Sequence, residues 1–137
     1  MAEKRLQKVS ADSSCFVCGL NNPIGLKADF VIDIDTCSSR ASVTLPSNFQ
    51  GWQDVIHGGV LSALLDEACV YACRTKVDQC VTAELQVRFR KPVPVDATVD
   101  VTGRIEDSRR KIWSASAQLK IDGSLYAEAK AKVFILD

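Results

Sequence analysis

The chain has one histidine, His57, directly before Gly58 and Gly59 at the head of a long Ala- and Leu-rich stretch. If that stretch is a helix, its first turn presents unpaired backbone N–H groups and the positive end of the helix dipole, and glycine there lets a substrate approach the backbone closely. Such a place suits a developing oxyanion. Three residues of this kind also serve as a tight turn with a capping histidine. Further along, Asp66 and Glu67 interrupt an otherwise apolar helical surface. Asp66 shares a face with Ser62, Cys69 and Cys73, and Glu67 shares one with Ala63, Tyr71 and Arg74. Asp66 is read as the more enclosed carboxylate, its pKa raised by desolvation toward that of a general base, and Glu67 as the one nearer the helix rim, with Arg74 as a partner. A polar residue at a subunit interface accounts for Asp66 equally well.

Cys15 and Cys18 form a Cys-x-x-Cys pair. A structural zinc site takes four ligands. His57 is committed to the helix start, and three of the other cysteines, Cys69, Cys73 and Cys80, lie in or just after the helix while Cys37 stands apart. No metal is therefore expected. A redox pair belongs at a helix start after a strand, which this segment lacks. In a chain with no export signal, the six cysteines are expected to be free thiols.

These residues need a scaffold, and 137 residues provide one compact domain. Hydrophobic residues at 47% and charged residues at 25% exclude a disordered chain. Seventeen basic residues balance seventeen acidic ones, which removes the electrostatic footprint of a protein that grips nucleic acid through its phosphates. The apolar run 60–65 ends at Asp66, far short of the roughly 18 residues of a membrane span. Residues 1–10 carry Lys4, Arg5 and Lys8 but no following apolar core, so a cytoplasmic location is expected by default.

Alternation predicts strands over 26–34 and 41–45, with a short polar link and Pro46 as the stop. A helix follows over 57–73, apolar nearly all round and so enclosed by the rest of the fold. Four more alternating strands, 81–89, 97–105, 113–121 and 125–135, carry their apolar residues on odd numbers. Their short links, including the hairpin pair Asp122 and Gly123, predict antiparallel neighbours in a meander. The fold class is α+β, one curled antiparallel sheet of five to six strands wrapped around one long central helix.

With Cys15-Phe16-Val17-Cys18-Gly19 and Asn22-Pro23-Ile24-Gly25-Leu26 ahead of His57-Gly58-Gly59, Leu64 and Asp66, and residues 82–89 behind, the chain resembles the hot-dog-fold acyl-CoA thioesterases of the phenylacetate-pathway type. The likeness runs from about Cys15 to the C-terminus, within a single domain 1–137 whose first 24 residues form a segment packing on it. It implies hydrolysis of an acyl- or aryl-CoA thioester at a dimer interface, without a cofactor. The Gly59 N–H would polarise the carbonyl, His57 would shape the helix start, and Asp66 would activate water or attack directly, both roles being open. Thr82 matches a Ser or Thr that orients the water. By parity it faces away from Val81 and Ala83, which would place it at the subunit interface. Gln50 matches a Gln or Asn near the carbonyl, with Asn48 and Gln53 as alternatives. Gly58 and Asn48 are expected to line the substrate site. Coenzyme A phosphates would meet Arg88, Arg90 and Lys91, or else Arg109, Arg110 and Lys111. The implied assembly is a homodimer, with pairing into a tetramer open and no nucleic-acid or membrane partner. The competing readings are a non-catalytic acyl-thioester binding or regulatory protein, and a dehydratase acting on 3-hydroxyacyl thioesters, against which the fusion of the sole histidine to Gly-Gly argues.

Overall fold

The computed structural model describes residues 13–137, so the basic stretch 1–10 lies outside it. The elements run β1 (Val31–Asp33), β2 (Ser38–Thr44), a 3-10 turn (Ser47–Phe49), helix α1 (Gly58–Cys73), β3 (Cys80–Phe89), β4 (Thr98–Asp107), β5 (Ile112–Ile121) and β6 (Ser124–Ile135). The strands form one six-stranded sheet in the order β1-β2-β4-β5-β6-β3, with every pairing antiparallel. This is the α+β hot-dog architecture expected from periodicity and resemblance alike.

The middle inward positions of β5 and β6 are small: Ala115 and Ala117 on β5, and Ala127, Ala129 and Ala131 on β6. They leave room for Leu61, Leu64, Leu65, Ala68 and Cys69 of α1, all buried. At the closest crossing the inward residue of β4 is Gly103, where a Cβ would lie 2.3 Å from the Ala68 carbonyl oxygen. Ser39 of β2, also buried, donates to that same oxygen at 2.7 Å. The far side of the helix is covered by the N-terminal segment, where Phe30 stacks on Tyr71 at 5.0 Å between ring centroids. The helix is thus enclosed, as its all-round apolar surface requires.

Three expectations change. The first strand is not continuous over 26–34. Lys27 takes φ 55, and the Leu26 and Ala28 N–H groups bond to the Phe16 and Val17 carbonyls, so only Val31–Asp33 joins the sheet. Second, β3 and β4 are not neighbours: β3 pairs with β6 at the opposite edge. The eight residues 90–97 between them reach about 27 Å when extended, ample for the roughly 14 Å of three strand spacings. The meander holds for β4, β5 and β6, where Asp122 at φ 48 and Gly123 at φ 84 make the two-residue turn. Third, the parity of β3 switches inside the strand. Thr82 pairs with Val133 and Glu84 with Lys132, which leaves Ala83 as an extra residue in a bulge. Cys80 and Thr82 therefore face the helix before the bulge, and Leu85 and Val87 after it.

Candidate functional site

The start of α1 is organised by its own histidine. His57 is extended (φ −60, ψ 134), and its Nδ1 accepts from the Gly59 N–H at 2.8 Å. Its carbonyl takes the N–H groups of Val60 and Leu61. Among the described residues, the Gly58 N–H is left with no acceptor. The donor that sequence reasoning assigned to the substrate, Gly59, is thus engaged within the chain, and the free one is its neighbour. Each glycine has a steric reason. A Cβ on Gly59 would lie 3.0 Å from His57 Nδ1, and one on Gly58 would lie 3.3 Å from the ring of Phe89 at the end of β3. His57 and Gly59 are exposed, so the cap faces open space.

Two helical turns on, the surroundings are closed. Asp66 is half-buried and its Oδ1 accepts from the Thr82 hydroxyl at 2.5 Å. Burial raises its pKa and the Thr82 hydrogen bond pulls it back down. The bulge at Ala83 makes this contact, and it overturns the expectation that Thr82 faces away from its own helix. Glu67 is also half-buried and is not at the rim. The Cys15 thiol donates to its Oε2 at 3.3 Å, and Cys18 and Arg74 are close enough to act on its charge. Burial raises the Glu67 pKa, opposed by the Cys15 hydrogen bond. Sequence reasoning missed this meeting because 52 residues separate Cys15 from Glu67 and no local pattern links them.

The loop before α1 lies beside His57: the His57 N–H bonds to the Phe49 carbonyl, and a Cβ on Gly51 would lie 3.1 Å from the imidazole Cδ2. Gln50 belongs to this loop, but its Oε1 accepts from the Asp54 N–H at 3.1 Å and holds the loop's own turn. Asn48 is exposed. The two cation groups lie at opposite ends of the helix. Phe89 packs on Gly58 and so brings Arg88, Arg90 and Lys91 to the helix start, where Arg90 pairs with Glu128 at 2.8 Å and Lys91 sits 5.2 Å from the Tyr126 ring centre. Arg109 is held by Asp107 at 2.9 Å, and Lys111 bonds to the Asp137 carbonyl beyond the helix C-terminal end. A groove of about 830 Å³ lies on the outer face of the sheet, lined by residues such as Gln86, Ser116, Glu128 and Lys130, away from both carboxylates.

Residues 53–127, more than half of the chain, match the family model described as the thioesterase superfamily. The chain belongs to the thioesterase superfamily. The part of this superfamily member that matches takes in His57, Gly58, Gly59, Asp66 and Thr82, and leaves out Cys15, Cys18, Asn48 and Gln50. Acyl-coenzyme A thioesterase THEM4 of Mus musculus is 27% identical over 92 residues, 66% of this chain and 40% of that protein. The chain therefore spans about two fifths of the length of this curated relative. A solved thioesterase superfamily protein superposes with a TM-score of 0.80 at 25% identity, over 90% of this chain and 62% of that one. The E. coli PaaI protein from the phenylacetic acid degradation operon gives 0.74 at 19% identity over 80% of each chain. A Streptococcus mutans UA159 protein solved with bound acetyl CoA gives 0.73 at 16% identity, over 79% of this chain and 87% of that one. These last two likenesses are of fold. No helix among the described residues is long and apolar enough to cross a membrane.

Proposed function

We propose that the protein hydrolyses an acyl- or aryl-CoA thioester to the free acid and coenzyme A, at a site shared between two copies of the chain. The observation that carries this reading is the placement of the two chemical features on one helix. The free Gly58 N–H and the half-buried Asp66 are eight residues apart, about 12 Å along the axis. An attacking water must lie within hydrogen-bond reach of its base while the carbonyl oxygen lies within reach of its donor, a donor-to-base span of at most about 9 Å. One chain alone cannot bring both to one carbonyl, whereas two antiparallel copies facing along β3 and α1 can. Strand β3 ends the sheet and leaves its outer edge for such a pairing.

In this arrangement the thioester oxygen rests on the Gly58 N–H at the positive end of one helix. Asp66 of the second copy takes a proton from water, whose oxygen forms the bond to the carbonyl carbon, or adds to that carbon itself; Thr82 holds the carboxylate and the water in line. The tetrahedral oxyanion collapses, the C–S bond breaks, and the coenzyme A thiolate leaves and takes up a proton; where Asp66 itself has added, water then hydrolyses the acyl-Asp66 anhydride to the free acid and restores the carboxylate. Arg88, Arg90 and Lys91, next to the helix start, suit the coenzyme A phosphates. The acyl-CoA thioesterase name of the mouse relative supports the substrate class.

The engagement of the Gly59 N–H by His57 Nδ1 favours a second reading, an acyl-thioester binding or regulatory protein that does not turn over, because the oxyanion site then has one free donor and not two. Hydrolysis of a panel of aryl- and straight-chain acyl-CoAs, followed by loss of thioester ultraviolet absorbance, decides between them. Turnover that falls by orders of magnitude in Asp66→Asn supports the hydrolase. Binding without turnover across the panel supports the second reading.

A further inference from the structure

We propose that Cys15, Cys18 and Glu67 form a zinc site that fastens the N-terminal segment to the central helix. The two thiols and the carboxylate are each half-buried, and one ligand atom from each lies within 4.8 Å of the others. In tetrahedral coordination, Zn–S near 2.3 Å and Zn–O near 2.0 Å put sulfur and oxygen about 3.5 Å apart and the two sulfurs about 3.8 Å apart. The Cys15 Sγ to Glu67 Oε2 distance is 3.3 Å. The expectation of no metal counted only histidine and cysteine as ligands, and the folded chain supplies an oxygen from the helix.

The segment is built to hold this geometry. The Gly19 N–H closes the Cys-x-x-Cys turn on the Cys15 carbonyl at 2.9 Å, and a Cβ at Gly19 would lie 2.4 Å from the Cys15 nitrogen, so only glycine permits the turn. Asn21 ties back to Ser13 through its N–H at 2.9 Å and its side-chain amide at 2.8 Å. The Asn22 side chain bonds to the Ser14 carbonyl at 3.0 Å. Leu26 and Ala28 donate to the carbonyls of Phe16 and Val17, the two residues between the cysteines. A turn stiffened from both flanks presents its two sulfurs to a carboxylate on a different element, which is how a ligand set is preorganised.

Around it, Tyr71 and Cys18 are close enough to act on one another's ionisation, and the Arg74 guanidinium lies 5.2 Å over the Tyr71 ring. Two thiolates and a carboxylate carry three negative charges against the two positive charges of the ion, and Arg74 stands close enough to offset the remainder. The sulfurs select a borderline-soft ion over Mg2+ or Ca2+. With three protein ligands, the fourth position belongs to water or the Tyr71 phenol. The site does not depend on the hydrolytic reading, since none of its ligands takes part in that chemistry.

The test uses the full chain, reduced and stripped with a chelator, then titrated with Zn2+ alone in competition with a chromophoric chelator. The expected result is one Zn2+ per chain, with affinity at least about 100-fold weaker in Cys15→Ser and in Cys18→Ser, about tenfold or more weaker in Glu67→Gln, and unchanged in the control Cys37→Ser. Far-ultraviolet circular dichroism checks that each variant is folded. Co2+ in the unaltered chain reports the ligands without any substitution, through thiolate-to-metal charge-transfer absorption and tetrahedral visible bands. Zn2+ binding no tighter in the unaltered chain than in the Cys15→Ser/Cys18→Ser double variant overturns the proposal, as does a Co2+ spectrum without thiolate bands. Unchanged affinity in Glu67→Gln removes Glu67 from the ligand set and overturns the site as drawn.

Discussion

The start and the middle of α1 are two turns apart and have opposite surroundings. At the start, His57 and Gly59 face open space and the only groups that satisfy the first N–H groups come from His57 itself. In the middle, Asp66 and Glu67 are roofed by β3 on one side and by the Cys-x-x-Cys segment on the other, each carboxylate with its own partner. The open end has one free donor and no carboxylate, and the closed middle has a carboxylate and no free donor. Neither is a complete site for acyl transfer, and the two complement one another only if a second copy brings its closed middle to the first copy's open end.

The largest effect should come from the closed side. Asp66→Asn keeps the size and the Thr82 contact but removes the charge, and kcat should fall by about 10²- to 10⁴-fold with the circular dichroism spectrum unchanged. On the open side, Gly58→Pro deletes the free N–H at the first helical position, where proline is tolerated and the extended His57 before it is compatible. Steady-state kinetics should show kcat lower by about 10²-fold or more, with about 1 kcal/mol lost in urea unfolding as Phe89 shifts from the new ring.

Much of this frame was legible in the sequence. The helix from Gly58, the turn at Asp122 and Gly123, and the odd-numbered apolar faces of β4, β5 and β6 are local patterns, and local patterns survive folding. What periodicity does not carry is the single extra residue. The bulge at Ala83 reverses the facing of Cys80 and Thr82, and an alternating strand reads the same with or without it. The crossing of β3 to the far edge is likewise invisible, because a loop of eight residues fits a neighbour or a three-strand span equally well. The cap on Gly59 arises from the imidazole turning back on its own helix, a rotamer choice that residue types do not specify.

The same contrast grades the smaller effects. Gly103→Ala would press a methyl against the Ala68 carbonyl, which has no room to move because Ser39 holds it, and should cost about 3 kcal/mol in urea unfolding. Thr82→Val keeps the shape and removes the hydrogen bond to Asp66, so kcat should fall about tenfold. His57→Ala should act least on the chemistry, since it removes a cap and frees the Gly59 N–H: about 1 kcal/mol lost by thermal unfolding, with kcat within about tenfold of the unaltered protein. A loss in His57→Ala as large as that in Asp66→Asn would move the histidine from the scaffold into the reaction.

The central claim is that each site draws its donor from one copy and its carboxylate from another, and a heterodimer tests it most directly. One chain carries Gly58→Pro and the other Asp66→Asn, the two are co-expressed with different tags, and the mixed dimer is isolated and assayed on the best acyl-CoA of the panel. A shared site leaves one of the two sites intact, and the heterodimer should recover about half the activity of the unaltered protein although both parents are nearly inactive. A heterodimer as inactive as its parents would contradict the account and return the reaction to groups within a single chain.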